Sequence, residues 1–163
     1  MQNPVKPGPG QESVWDYPRP PKLARTDKHI QVYFDGELLV DTRRAKRVLE
    51  TSHPPVYYIP PEDIRMDYLT DSEGDSWCEW KGRATYYDVG IKGKIAEKVA
   101  WTYPRPAPSF RAIKDHVAFY AWAMDQCLVD GELVRPQPGN FYGGWITDDI
   151  VGPFKGNIWS RGW

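Results

Sequence analysis

Sixteen prolines and fourteen glycines, spread from one end of this 163-residue chain to the other, cut it into short pieces. Proline removes a backbone donor and glycine loosens the backbone, so long uninterrupted helices are disfavoured. The pieces between the breaks are rich in β-branched and aromatic residues. Ile30-Gln31-Val32-Tyr33-Phe34 predicts a strand, Asp35-Gly36 a hairpin turn, and Glu37-Leu38-Leu39-Val40 the return strand. Residues 56–59, 64–69, 83–89, 95–103, 116–122 and 127–129 read as further strands. Lys92-Gly93 and Asp130-Gly131 read as turns, and residues 71–75 as an acidic loop. One short helix is expected over residues 43–51, capped by Asp41-Thr42 and stopping before Pro54-Pro55. Its Arg43, Arg44, Lys46 and Arg47 would form a solvated basic face. Together these pieces predict an all-β fold, mainly β with one short helix, in a compact sandwich-like or barrel-like arrangement.

Three regions follow. Residues 1–29 read as an extended Pro-rich N-terminal arm, flexible over 1–13 and polyproline-like over 14–21. Residues 30–135 read as the β-rich core domain. Residues 136–163 read as a Gly/aromatic C-terminal tail packed on the core without regular structure. Two echoes link the halves. Trp15-Asp16-Tyr17-Pro18-Arg19-Pro20 is matched by Trp101-Thr102-Tyr103-Pro104-Arg105-Pro106, and Asp35-Gly36-Glu37-Leu38 by Asp130-Gly131-Glu132-Leu133. Their unequal spacing favours similar strand ends over a duplicated unit.

Composition removes several functions. The net charge of -1 gives no field for nucleic acid or an anionic membrane. No apolar run approaches the roughly 20 residues of a membrane span, and the start lacks the apolar stretch of a secretory signal. Cytoplasmic localisation is therefore expected, with Cys78 and Cys127 as free thiols. There is no G-x-G-x-x-G, no P-loop, no G-x-S-x-G and no C-x-x-C pair. No metal site and no cofactor are expected.

What remains is Ser76-Trp77-Cys78-Glu79-Trp80-Lys81-Gly82. A tight turn permitted by Gly82 would bring Lys81 back over Cys78, and a cation beside a thiol favours the nucleophilic thiolate. His116, from a distant strand, is the candidate base for a catalytic Cys78. The alternative fate of Cys78 is simple packing between tryptophans. Strand aromatics Tyr58, Tyr86, Tyr87, Trp101 and Tyr103 would wall a small-molecule pocket, with Lys81, Glu62 and His116 as its polar anchors.

An ordered set of segments also carries a family resemblance. It comprises Val56-Tyr57-Tyr58-Ile59-Pro60-Pro61-Glu62-Asp63-Ile64, the Cys78 stretch with Ala84-Thr85-Tyr86-Tyr87, and Ala100-Trp101-Thr102-Tyr103-Pro104. Ile113, Val117-Ala118-Phe119-Tyr120 and Val129-Asp130-Gly131-Glu132 complete it. Together they resemble the family catalogued as domain of unknown function 427, over about residues 30–135. Glu79 stands where that family commonly has proline. The resemblance implies a β-tent-like fold, two sheets meeting at an angle over a pocket, here without zinc knuckles. The family is also labelled nucleotidyltransferase-like. That chemistry needs converging carboxylates, whereas Glu62-Asp63 and Asp148-Asp149 are adjacent and on a strand would face opposite sides.

Three functions stay open. The first is binding of a polar or nucleotide-like small molecule near Cys78, Lys81, Tyr87 and Trp101. The second is a cysteine-dependent or general acid–base enzyme in the same pocket. The third is an interaction module whose tail, residues 141–163, docks on a partner or forms a homodimer.

Overall fold

The computed structural model describes residues 3–139, 141–156, 160 and 162–163. In chain order its strands are β1 (Glu12–Ser13), β2 (Lys22–Arg25), β3 (Ile30–Phe34), β4 (Glu37–Thr42), β5 (Lys46–Leu49), β6 (Val56–Tyr58), β7 (Leu69–Cys78) and β8 (Gly82–Ile91). They continue with β9 (Lys94–Thr102), β10 (Val117–Phe119), β11 (Gln126–Val129), β12 (Glu132–Leu133), β13 (Arg135–Pro136), β14 (Trp145–Ile146) and β15 (Ile150–Val151). The fold is all-β, with several sheets and no closed barrel.

Two four-stranded sheets, ordered β10-β9-β8-β7 and β12-β11-β3-β4, enclose the main core. Alternation along β3 sends Ile30, Val32 and Phe34 inward, and Val89, Ile91, Val117 and Phe119 meet them from the other sheet. The three-stranded sheet β2-β5-β6 covers the opposite face of the β7–β10 sheet. These two sheets join along one edge through an antiparallel bridge between Ile59 and Val117. Between them lies a second cluster that includes Val48, Tyr58, Tyr86, Trp101, Tyr103 and Tyr120.

The expected turns hold. Asp35-Gly36, Lys92-Gly93 and Asp130-Gly131 all have positive φ at both residues, the geometry that matches strand twist in a two-residue hairpin. The Trp-Tyr-Pro-Arg-Pro echo is not a structural repeat, since Trp15 lies in a 3-10 turn and Trp101 in β9.

Within residues 30–135, four expectations need correction. The helix over 43–51 is absent. Residues Lys46–Leu49 instead form the central strand β5, paired with β2 and β6. Val48 and Leu49 then face different clusters, and Arg47 turns away from the other cations to pair with Glu12 at 3.0 Å. Pairing on both sides outweighs a weak helical preference. The acidic loop over 71–75 is part of β7, with a register shift between Ser72 and Asp75. As an edge strand, β7 gains from charge that discourages further pairing. The strand over 64–69 is a bridge at Ile64 followed by a 3-10 turn, Met66–Tyr68. The strand over 116–122 ends at Phe119, and Ala121–Ala123 is another 3-10 turn.

Both ends lie on this frame. Val14–Asp16 is a 3-10 turn capped by Ser13 rather than polyproline, and Val14 is fully buried. β1 pairs in parallel with β15, and β13 with β14, so the tail carries short strands. Asn157, Ile158, Trp159 and Arg161 of the expected interaction tail, and Asn140 just before it, lie outside the described residues. No helix among the described residues is long and apolar enough to cross a membrane.

Candidate functional site

The β7–β8 hairpin closes with Cys78 opposite Gly82, leaving Glu79, Trp80 and Lys81 as its loop. Gly82 has φ +107°, a conformation that suits glycine alone, and a Cβ there would lie 3.3 Å from the Arg105 carbonyl oxygen. The Lys81 carbonyl accepts the Ala107 N–H at 2.8 Å, which pins the loop to the proline-rich segment after β9. So held, Lys81 folds back over the hairpin. Its Nζ donates to Cys78 Sγ at 3.1 Å and lies 5.7 Å from the Tyr103 ring centre.

Cys78 and Lys81 open into a cavity of about 280 Å³ between the β7–β10 sheet and the β2-β5-β6 sheet. Tyr86 and Trp101, direct cross-strand partners, form one wall with Tyr103 and Tyr120. Val48, Val56 and Tyr58 form the other, and Trp101 Nε1 donates to Tyr58 Oη at 3.3 Å across the gap. Burial raises the pKa of Tyr58 and Tyr103 and moves Tyr120 up to about 12, so all three are neutral phenols at pH 7.

Lys81 is only 9% exposed. Burial opposes its charge, while Tyr58, Cys78 and Glu50 favour it, and the balance holds the ammonium above the ordinary lysine value. Among the described residues no carboxylate forms an ion pair with it within 4 Å. Its hydrogen-bond acceptor is the soft sulfur of Cys78.

The far end of the cavity comes from residues that the sequence reading did not select. Glu50, His53, Tyr142 and Lys155 line it with Gln137. Gln137 is fixed by its partners. Its Oε1 accepts the Gly144 N–H at 3.0 Å, so its Nε2 donates to the Lys155 carbonyl at 2.8 Å and to His53 Nδ1 at 3.0 Å. His53 is therefore neutral with its proton on Nε2, which faces Glu50 at 3.8 Å. Burial, then the charges of Lys155, Lys81 and Arg19, lower its pKa to about 4. Phe141, Tyr142 and Gly143 close the rim. Gly143 packs so tightly on Trp101 that an added Cβ would lie 2.1 Å from Cη2. Tyr120 Oη donates to the Phe141 carbonyl at 2.8 Å.

Of the candidates, Cys78, Lys81, Tyr58, Tyr86, Trp101 and Tyr103 converge here. His116, Glu62 and Tyr87 do not. His116 Nε2 accepts from Lys46 Nζ at 3.0 Å and its Nδ1–H is directed to the Lys114 carbonyl, so it is no base for Cys78. Glu62 is exposed in the Pro61–Asp63 turn. Tyr87 points to the opposite face of β8 from Tyr86 and packs on the main core. Cys127 is buried, which pushes its thiol pKa up.

Strand alternation was the usable signal for Tyr120, which shares a face with Ala118. No local signal marks His53 or Gln137, which meet across 84 residues of chain. The adjacent carboxylates are occupied elsewhere: Asp63 with Arg44, Asp148 with Arg135 and Asp149 with Lys28. Among the described residues no three His, Cys, Asp or Glu side chains converge as a metal ion would need.

The model of one family, described as a domain of unknown function (DUF427), matches residues 22–130. No match was found among curated proteins. Gln137, Phe141, Tyr142, Gly143 and Lys155 of the cavity lie beyond the matched residues.

Proposed function

The chain belongs to the DUF427 family, and we propose, from the geometry of its cavity, that it binds a small polar or nucleotide-like molecule beside Cys78 and Lys81. One observation carries this reading. A buried ammonium faces a cavity walled by neutral aromatic rings, and no carboxylate among the described residues ion-pairs with it. Of its three N–H donors only one is used among the described residues, on the soft Cys78 sulfur, so a ligand can take the others. The rings supply apolar area and stacking faces. Lys81, Glu50 and the Nε2–H of His53 supply the few polar contacts that orient a ligand.

The test is thermal denaturation against a panel of polar metabolites and nucleotides. At least one compound should raise the melting temperature of the wild type by several degrees. The same compound should shift Lys81→Met by less than a quarter as much. A panel with no wild-type shift, or a shift unchanged in Lys81→Met, contradicts the reading.

The Nζ–Sγ contact of 3.1 Å favours a second reading, thiol-dependent catalysis in the same cavity. An ammonium at that distance stabilises a thiolate nucleophile. Turnover of a bound compound that disappears in Cys78→Ala, with binding retained, would distinguish catalysis from binding alone.

A further inference from the structure

We propose that a second, separate groove on this protein binds a phosphate group. The groove has a volume of about 670 Å³ and runs between the end of β2 and the β4–β5 turn. It shares no lining residue with the Cys78–Lys81 cavity, and the proposal does not depend on what that cavity binds. Its charged lining is Arg25, Lys28, Arg43, Arg44 and Lys46, opposed by Asp27.

The geometry of these cations sets like charges against one another. Arg25 and Lys46 are direct cross-strand partners in the β2–β5 pair, so two like charges share one sheet face. Like charges placed directly opposite destabilise a sheet. Among the described residues Lys46 has no compensating carboxylate within bonding distance, and its Nζ donates to the neutral ring of His116 at 3.0 Å. Burial, then Arg25 and Arg44, hold its ammonium below the ordinary lysine value. Two of the five cations are satisfied within the protein: Lys28 by Asp149 at 2.6 Å and Arg44 by Asp63 at 2.8 Å. Arg25, Arg43 and Lys46 pair with no carboxylate among the described residues. Asp27 offsets one of these charges and leaves an excess of two. Glu62, exposed in the neighbouring turn, acts on Lys46 and Arg44 from a distance without bonding to either.

A phosphate dianion answers this arrangement. It carries the opposite charge in the right amount, and its tetrahedral oxygens accept the paired N–H donors of two guanidiniums. Lys46, the cross-strand partner of Arg25, adds a point charge. The cross-strand repulsion between Arg25 and Lys46 becomes attraction to a shared anion.

The experiment is a titration of the full chain with inorganic phosphate and, separately, with phenyl phosphate. It is followed by thermal denaturation at low ionic strength, with chloride at matched ionic strength as the reference. The wild type should show a saturable rise in melting temperature with phosphate and not with chloride. Arg25→Gln and Arg43→Gln should each weaken that response at least tenfold, and Arg111→Gln, an exposed arginine elsewhere, should not. With no phosphate present, Arg25→Gln should melt above the wild type, because the repulsion with Lys46 is gone. Phenyl phosphate binding tighter than inorganic phosphate assigns the groove to esterified phosphate, and the reverse order to the free ion. A phosphate response equal to that of chloride, or one unchanged in Arg25→Gln and Arg43→Gln, overturns the proposal.

Discussion

At the scale of single residues, the site depends on side chains whose protonation states are set by neighbours. His53 shows this most clearly. Gln137 offers it a donor, three cations surround it, and its pKa falls to about 4 from an ordinary 6.5. Because the folded protein resists protonation at His53, the unfolded chain takes up that proton first as the pH drops. Stability is therefore complete above pH 6.5, is lost as the pH falls from 6.5 towards 4, and levels off below that. A shift of this size corresponds to about 3 kcal/mol. Urea unfolding of the wild type and His53→Gln at pH 7 and pH 4.5 should show the wild type losing more stability by about 2 kcal/mol. Equal losses would mean that His53 is not held neutral by its surroundings. Neither the neutrality of His53 nor its place in the cavity was legible in the sequence. Its partner Gln137 is remote along the chain, and Pro54-Pro55 marks only a break.

At the scale of elements, the β7–β8 hairpin is the device that builds the site. The motif was legible because Gly82 follows Lys81, and a glycine there permits the turn that returns a lysine to its cysteine. Tyr86 and Tyr87 show where the sequence reading erred. Both were placed in one pocket, although adjacent strand residues face opposite sides, and only Tyr86 lines the cavity. The helix expected over 43–51 failed for a related reason. Arg47 resembles Lys46 chemically, but the strand sends it to Glu12 on the other face. Short elements of this kind take their structure from sheet partners, which a linear sequence does not display. The hairpin itself makes a testable demand. Gly82→Ala forces a side chain into φ +107° beside the Arg105 carbonyl. It should cost about 1–3 kcal/mol in chemical denaturation. Gly36→Ala also sits at positive φ, but nothing lies within 4 Å of its added Cβ, so it should cost less. Equal costs would remove the packing part of the argument.

At the scale of the whole molecule, the cavity is assembled from sheets joined at one edge and closed by the segment after β13. The matched family region, residues 22–130, supplies Cys78, Lys81 and the aromatic walls. The later segment supplies Gln137, Tyr142 and Lys155, and its Gly143 rests on Trp101. Gly143→Ala should displace that segment and cost about 1–3 kcal/mol. It should also reduce the melting-temperature shift from a cavity ligand, and an unchanged ligand response would show that the segment only covers the fold. The account as a whole rests on Cys78 sharing a solvent-reachable, ligand-binding cavity with Lys81. Intact-mass kinetics of iodoacetamide alkylation tests that claim directly, with and without the compound that gives the largest melting shift. The account predicts that Cys78 alkylates at least tenfold faster than the buried Cys127, and that the compound slows Cys78 at least tenfold. A compound that stabilises the protein while leaving the Cys78 rate unchanged would contradict it.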